Sequence, residues 1–447
     1  MKWVLFNLIK EWNGFLIWLI GSLLIILTFT AILFDNITLA GGDLGLSVSH
    51  ASQFFKLLHY TWNHLAESGS SIMTVLWYPY YLFITIISSV AGIKTTTIIF
   101  FTFPLLIAFS LSYYGVRKLL KNDLLALLAA LALIYNPLSS RAYLSVTLHP
   151  TYAVYAFSGF FIYIYFSIIF SNSLRVKNLV LAAILTLPFM LISFSNPGYG
   201  LPVLVAGTFM IVFALISSKD RRKVVSSIAI VSTLILALST PFLLVYSSLA
   251  SNISGSVLPR DVDYILRYVE IESKAIKFYV NFFPIKEEIT PRIITIVLSL
   301  LVIFLGFALP AVKVNKASRE LKMLFLLATL LYVFGITLSK GIQEPLGIVN
   351  MLFYELLAPY SFAFRSPFSK FSIITVIGLF LGISLGLKLL EERFRKKRNM
   401  MKYFLMVVLI AMMLSQYYIV VKNQSTEWSL LKNIDDLNML NLLAQLR

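Results

Sequence analysis

The stretch Leu39-Ala40-Gly41-Gly42-Asp43-Leu44-Gly45 is the first place where chemistry can be read from residue type and spacing. Paired glycines open backbone conformations closed to other residues and let a carboxylate approach whatever lies beside it. Asp43 is therefore a candidate general base. An acid that caps the following helix accounts for the same residues. The histidines are His50, His59, His64 and His149. Three of them share this early stretch with Glu67, but intervals of nine and five residues do not bring them to one helical face. A metal site built from these histidines is therefore not indicated. Asp35, His50 and Glu67 stand as supporting groups around Asp43.

A second constellation is Ala363-Phe364-Arg365-Ser366-Pro367-Phe368-Ser369-Lys370-Phe371. Arginine offers two parallel donors to phosphate oxygens and lysine adds a point charge, so Arg365 and Lys370 can clamp a phosphate. Contact with lipid headgroups is the plainer alternative. Arg141, in Tyr135-Asn136-Pro137-Leu138-Ser139-Ser140-Arg141-Ala142-Tyr143, is a third cation of the same kind. The chain has no cysteine, which excludes a disulfide framework, thiolate zinc sites and cysteine nucleophiles. Carboxylates, histidines and hydroxyls are left to do any chemistry.

What must position these groups is a membrane bundle. Of 447 residues, 59% are apolar and 13% charged, against about 45–50% and about 25% in soluble domains. Lys and Arg number 37 against 20 Asp and Glu. The basic residues fall in short clusters between long uncharged stretches, the pattern of orientation signals rather than of nucleic-acid binding. A helical crossing needs about 20 largely apolar residues, and twelve stretches qualify: residues 13–34, 72–92, 95–115, 123–137, 151–170, 179–195, 199–217, 224–247, 293–311, 321–339, 371–390 and 402–421. The fourth is short. Residues 14–34 form a retained span, because the stretch is longer than a signal-peptide core and lacks a clear cleavage site.

Basic clusters at 117–121, 175–177, 219–223, 313–322 and 388–402 occupy every second connection and belong on the inner side. Lys2 and Lys10 place the N-terminus there as well. Parity then leaves one candidate too many, and residues 72–92 are the non-spanning one. Their core Trp77-Tyr78-Pro79-Tyr80-Tyr81 has interfacial character, and Pro79 interrupts the helical ladder. A re-entrant or in-plane segment packed on protein satisfies the bilayer.

The expectation is an all-α polytopic protein of eleven crossings, N-terminus inside and C-terminus outside. It consists of one transmembrane unit over 1–422, with a first outer loop at 35–94, and a short outer tail at 423–447. The three N-x-S/T sequons, at Asn36, Asn252 and Asn423, all fall on the outer side. By this topology the inner side holds 22 basic and 6 acidic residues and the outer side 15 and 14. The net charge of +17 is thus almost wholly an orientation signal.

No expected crossing carries an ionisable residue in its central part. Ion-coupled transporters commonly place such groups at the midplane, so function is expected at the outer face. A lipid-linked glycan flippase or other transporter is the first rival, and it predicts a polar central path. An outer-face polymerase or ligase that relies on Arg and His in a late loop is the second, and here the late loops have Arg without His. A non-catalytic scaffold of envelope glycan assembly is the third.

A first span, a long outer loop with an early Asp, an aromatic-proline segment and many further spans resemble the GT-C superfamily of integral membrane glycosyltransferases. Tyr135-Asn136-Pro137 to Arg141, and Phe364-Arg365-Ser366-Pro367-Phe368-Ser369-Lys370-Phe371, are similar to motifs of its arabinofuranosyltransferase-like branch. The resemblance implies transfer of a sugar from a polyprenyl-phosphate donor to a hydroxyl of a glycan, lipid or protein acceptor, at the outer face of a multi-pass cell-membrane protein. Asp43 matches the first-loop catalytic carboxylate in position, and Arg365 and Lys370 match the basic late-loop motif. Arg141 is the further donor-phosphate cation this implies. Family members often carry a second acid near the first; here Asp35 precedes Asp43 by eight residues and Glu67 lies well after it. A divalent cation, Mg or Mn, stays open as a cofactor.

Overall fold

The computed structural model describes residues 2–34, 62–63, 70–71, 76, 78–139, 149–171, 176–218, 220–254, 266–267, 269–271, 276–279, 283–286, 300–344, 346–356, 364 and 366–393. The main helices are α1 (Lys2–Phe34), α2 (Tyr78–Leu120), α3 (Asp123–Ile134), α4 (His149–Phe170) and α5 (Val176–Ser195). They continue with α6 (Pro197–Ser217), α7 (Arg221–Ser254), α8 (Arg319–Ser339), α9 (Gly347–Leu356) and α10 (Pro367–Arg393). Eight of them contain windows long and apolar enough to cross a membrane: Asn13–Thr30, Ile98–Leu120, Pro150–Phe170, Val176–Ser195, Pro197–Ser217, Val224–Leu244, Arg319–Ser339 and Pro367–Glu392. The expected crossing at 402–421 and the tail at 423–447 lie outside the described residues. Two small antiparallel ladders, Trp62–Asn63 with Ser70–Ser71 and Ile276–Tyr279 with Phe283–Lys286, belong to connections.

Side-chain contacts fix which helix ends lie together. The Tyr113 hydroxyl donates to the Gly14 carbonyl at 3.0 Å, and the Lys118 ammonium to Ser167 Oγ at 2.5 Å. The Asn122 amide reaches Glu391 Oε1 at 3.0 Å, and the Arg319 guanidinium donates to the Ile216 carbonyl at 3.2 Å. The clusters around Arg117, Arg319 and Lys388 therefore gather at one end of the bundle. At the far end, Tyr152 on the first turn of α4 meets Phe101 of α2 at 4.9 Å and Phe29 of α1 at 6.3 Å between ring centres. Thus α1 finishes at the end where the long arm of α2 starts, and the chain between Phe34 and Ile98 begins and ends there.

The aromatic-proline segment departs from the sequence expectation. Pro79 stands in the first turn of α2, where its missing N–H costs nothing, so it starts a helix rather than breaking one. The short arm Pro79–Gly92 is about 21 Å long, against about 30 Å of hydrocarbon. The break comes at Gly92, with φ 73° and ψ 168°, a backbone state essentially confined to glycine. The bend brings Tyr80 and Phe83 onto Phe100 and Phe103, at 5.5 and 5.1 Å; a straight helix would hold such pairs about 30 Å apart. Tyr80 and Tyr81 are buried, and the Tyr80 hydroxyl donates to the Phe100 carbonyl at 2.9 Å. These rings pack into the protein interior, and the polar tip of Tyr80 finds its partner there.

Helix α3 also differs from an ordinary span. Its 12 residues cover about 18 Å, and every residue from Leu125 to Ile134 is buried, as expected of a helix apolar on all sides. It carries the chain away from the basic end.

Helix α10 is the axis of the bundle: 89% of its membrane-length window is buried, against 17% in α7 at the periphery. Three glycines at four-residue intervals let neighbours approach α10. A Cβ at Gly378 would stand 2.5 Å from the Tyr332 nitrogen, and one at Gly382 would stand 2.7 Å from the Gly306 carbonyl oxygen. At Gly386 it would collide with the Leu305 carbonyl. Small residues bring backbones together where lipid offers no hydrophobic drive to associate. Gly306 belongs to a π-helical turn, Phe304–Ala308, whose extra residue re-aims the chain where it meets α10.

Candidate functional site

Among the described residues, one of the cations expected to do chemistry is present, and its setting is specific. Ser366-Pro367 opens α10, with proline at the tolerated first position, and the Lys370 N–H closes the first turn on the Ser366 carbonyl at 3.1 Å. Lys370 is only 5% exposed. Its ammonium lies 3.4 Å from the ring centre of Tyr199, itself buried on the first turn of α6. A cation placed over an aromatic face is held by the ring quadrupole. Both helices present their N-terminal ends here, so the backbone dipoles of α6 and α10 add to a positive field favourable to an anion.

The surrounding shell holds this corner rigid. Phe364 and Phe371 stack at 5.3 Å with 13° between planes, and Phe353 meets both edge-on. The Tyr354 hydroxyl donates to the Phe364 carbonyl at 2.9 Å, and burial raises its pKa, keeping it a donor. Ser369 Oγ donates to the Ser366 carbonyl at 3.1 Å. The residues on both sides of Arg365 are thereby anchored. The Asn350 amide bridges the carbonyls of Thr337, at 2.6 Å, and Gly341, fastening α9 to the end of α8. Beside it, the buried Lys340 ammonium donates to the Glu344 carbonyl at 2.9 Å. Burial lowers the Lys340 pKa, and the Glu344 charge opposes that shift.

Asp43, Asp35, His50, Glu67, Arg141 and Arg365 lie outside the described residues. The Tyr135-Asn136-Pro137 motif is a terminating knot. The Asn136 amide reaches the Ala132 and Leu133 carbonyls at 3.0 Å and Ser139 Oγ at 2.6 Å. The Ser139 N–H donates back to Asn136 Oδ1 at 2.8 Å, and Ser139 Oγ donates to the Leu133 carbonyl at 2.8 Å. The last carbonyls of α3 are satisfied inside the protein in this way. Among the described residues no three His, Asp or Glu side chains come together to hold a metal ion.

No protein-family model, curated protein or solved structure matches this chain. The site therefore rests on its own geometry. Tyr199 is the residue that sequence reading passed over. Its signal was Asn196-Pro197-Gly198-Tyr199-Gly200, a second Asn-Pro at a helix boundary, but no spacing rule connects it to a lysine 171 positions later. What the corner offers chemically is a buried cation, an aromatic face and two helix N-termini, an arrangement whose field favours an anion.

Proposed function

We propose that the chain is an integral membrane glycosyltransferase of GT-C type, transferring a sugar from a polyprenyl-phosphate donor to an acceptor hydroxyl at the outer face of the cell membrane. The observation that carries this reading is Lys370, turned inward and buried against Tyr199 at the end of the bundle away from the basic clusters. An interfacial lysine serving only lipid headgroups would snorkel outward. The gathering of the Arg117, Arg319 and Lys388 clusters at the opposite end supports an inner basic face; the topology proposed with it has eleven crossings, N-terminus inside and C-terminus outside.

In this reaction the Asp43 carboxylate takes the proton of the acceptor hydroxyl as its oxygen attacks the anomeric carbon. The bond from that carbon to the phosphate oxygen breaks, and polyprenyl phosphate leaves. The charge growing on the leaving oxygen is met by Lys370, with Arg365 and Arg141 in the same role; preorganised cations in a dry site are effective there. Asp35, His50 and Glu67 surround the base in this reading.

The test is transfer from a radiolabelled polyprenyl-phosphate sugar by the full chain in lipid nanodiscs. Asp43→Asn is expected to lower transfer at least about 100-fold, the lower range for loss of a general base, with thermal stability unchanged. Wild-type transfer by a folded Asp43→Asn protein would overturn the base assignment, and absence of transfer from any such donor would overturn the function.

A further inference from the structure

A cavity of about 430 Å³ lies between α4, α5, α6 and α7. Its wall is almost wholly hydrocarbon, and two of its hydroxyls are turned back on their own helices: Thr208 Oγ1 donates to the Leu204 carbonyl at 2.9 Å, and Ser239 Oγ to the Leu236 carbonyl at 3.4 Å. Phe157 and Phe194, ring centres 5.8 Å apart, shut it at the end away from the basic clusters. Ser232 and Leu236 of α7 are exposed on its rim.

The other end of the cavity reaches the basic end of the bundle. Its lining includes Ile168 and Leu179, within a turn of the end of α4 and the start of α5, and Ser227 in the second turn of α7. The Lys118 contact to Ser167 and the Arg319 contact to the Ile216 carbonyl fix these helix ends beside the basic clusters. Above Ser227, α7 begins with Arg221 and Arg222, both exposed, and the first turn of α5 carries exposed Lys177. Arg221 precedes Ile228 by seven positions, two turns up the same face. Its Cα stands about 9 Å above that of Ser227 along the helix, against about 5–7 Å of headgroup region on each side of a bilayer. Hydrocarbon that begins at Ser227 therefore puts the guanidinium groups at phosphate level.

In the run Lys219-Asp220-Arg221-Arg222-Lys223, Asp220 is the one acid among four cations. Neither α5 nor α7 has an acid in its first turn, although a helix dipole favours negative charge there. Cations and dipoles at this mouth agree in favouring an anion, while the wall below it favours hydrocarbon. An amphiphile with a negative head satisfies both. A methylene takes nearly the space of a water molecule, about 30 Å³, so the cavity holds on the order of fourteen, one acyl chain and not two. Left empty, the lining atoms would forgo dispersion contacts on one side.

We infer that this cavity seats one acyl chain of an anionic diacyl phospholipid from the leaflet at the basic end, with its phosphate held at Arg221 and Arg222. The occupant is a resident lipid that fastens α7, the peripheral helix, to α4 and α5. The inference stands apart from the transferase reading: it concerns the opposite end of the bundle from Lys370 and needs no sugar donor.

The experiment uses the full chain in detergent with phosphatidylglycerol that carries a diazirine at the middle of one acyl chain. Photolabel is expected on peptides of α4 to α7. A basic residue beside anionic lipid is worth about fivefold in affinity, so unlabelled phosphatidylglycerol is expected to compete at least fivefold better than phosphatidylcholine with the same chains. The double variant Arg221→Gln/Arg222→Gln is expected to abolish that preference. Lys313→Gln/Lys316→Gln removes the same charge from exposed positions of the same end outside the cavity, and is expected to keep it. Filling the cavity from its rim with Ser232→Trp is expected to lower labelling at least fivefold, and Ser232→Ala to leave it intact. Label confined to other helices, equal competition by phosphatidylcholine, or equal loss of preference in the two double variants would overturn the proposal. So would wild-type labelling of both the Arg221→Gln/Arg222→Gln and Ser232→Trp proteins. Sugar transfer enters none of these readouts, so the transferase reading can fail without touching this site.

Discussion

The Lys370 ammonium stands 3.4 Å from the centre of the Tyr199 ring, joining the first turn of α10 to the first turn of α6. Burying a charge costs free energy unless something replaces its water. Here the ring face supplies part of that replacement, and an incoming anion would supply more. The pair is therefore both a fastening between two helices and a place where negative charge is welcome.

Replacing Tyr199 by leucine removes the ring while keeping an apolar filler. A desolvated cation–π contact is worth about 1–2 kcal/mol, so Tyr199→Leu should lower the unfolding stability by about that amount. Tyr199→Phe keeps the ring and should keep the stability. Chemical denaturation of both variants checks this.

Gly92 holds a conformation that side chains resist, and nothing lies within 4 Å of where a Cβ would sit. Gly92→Ala should therefore destabilise through the backbone alone, by about 1–3 kcal/mol. Thermal unfolding in detergent measures the loss. An unchanged midpoint would show that the bend does not require glycine.

At Gly382 the obstacle is a neighbouring backbone. Gly382→Val drives methyl groups toward the Gly306 carbonyl, and overpacking of this kind costs about 1–3 kcal/mol or more. The yield of monodisperse protein should fall. Leu238→Val, at an exposed position of α7, should change stability by no more than about 0.5 kcal/mol.

Asn122 accepts from the Leu124 and Leu125 N–H groups while its amide donates to Glu391. Asn122→Ala loses the cap, worth about 1 kcal/mol. Asn122→Asp keeps the cap but sets a second carboxylate against Glu391, so it should also destabilise, and Glu391→Gln should rescue it. Chemical denaturation of the two single variants and the double variant reads the coupling.

Much of the bundle was legible because hydropathy is summed over a span. Eight of the twelve apolar stretches coincide with helices long and apolar enough to cross a membrane, since about twenty apolar residues have few alternatives in lipid. Residues 123–137 stand among the crossings as a short stretch, less tilted or partly re-entrant, and their helix has 12 residues; apolarity alone cannot tell burial in protein from burial in lipid. The aromatic run at 77–81 is ambiguous for a related reason. Tyr is at home at a headgroup and in a hydrogen-bonded core alike, and only the Phe100 carbonyl beside the Tyr80 hydroxyl separates the two.

By itself the sequence determined that this is a helical membrane bundle with its basic residues clustered in short connections, because composition and charge act locally along the chain. It also singled out Lys370, through two cations beside a helix start. Which way Lys370 faces and that Tyr199 receives it were decided only by tertiary packing. Those relations join residues far apart in the chain, and only the packed helices, brought together by glycines such as Gly382, set the distances between them.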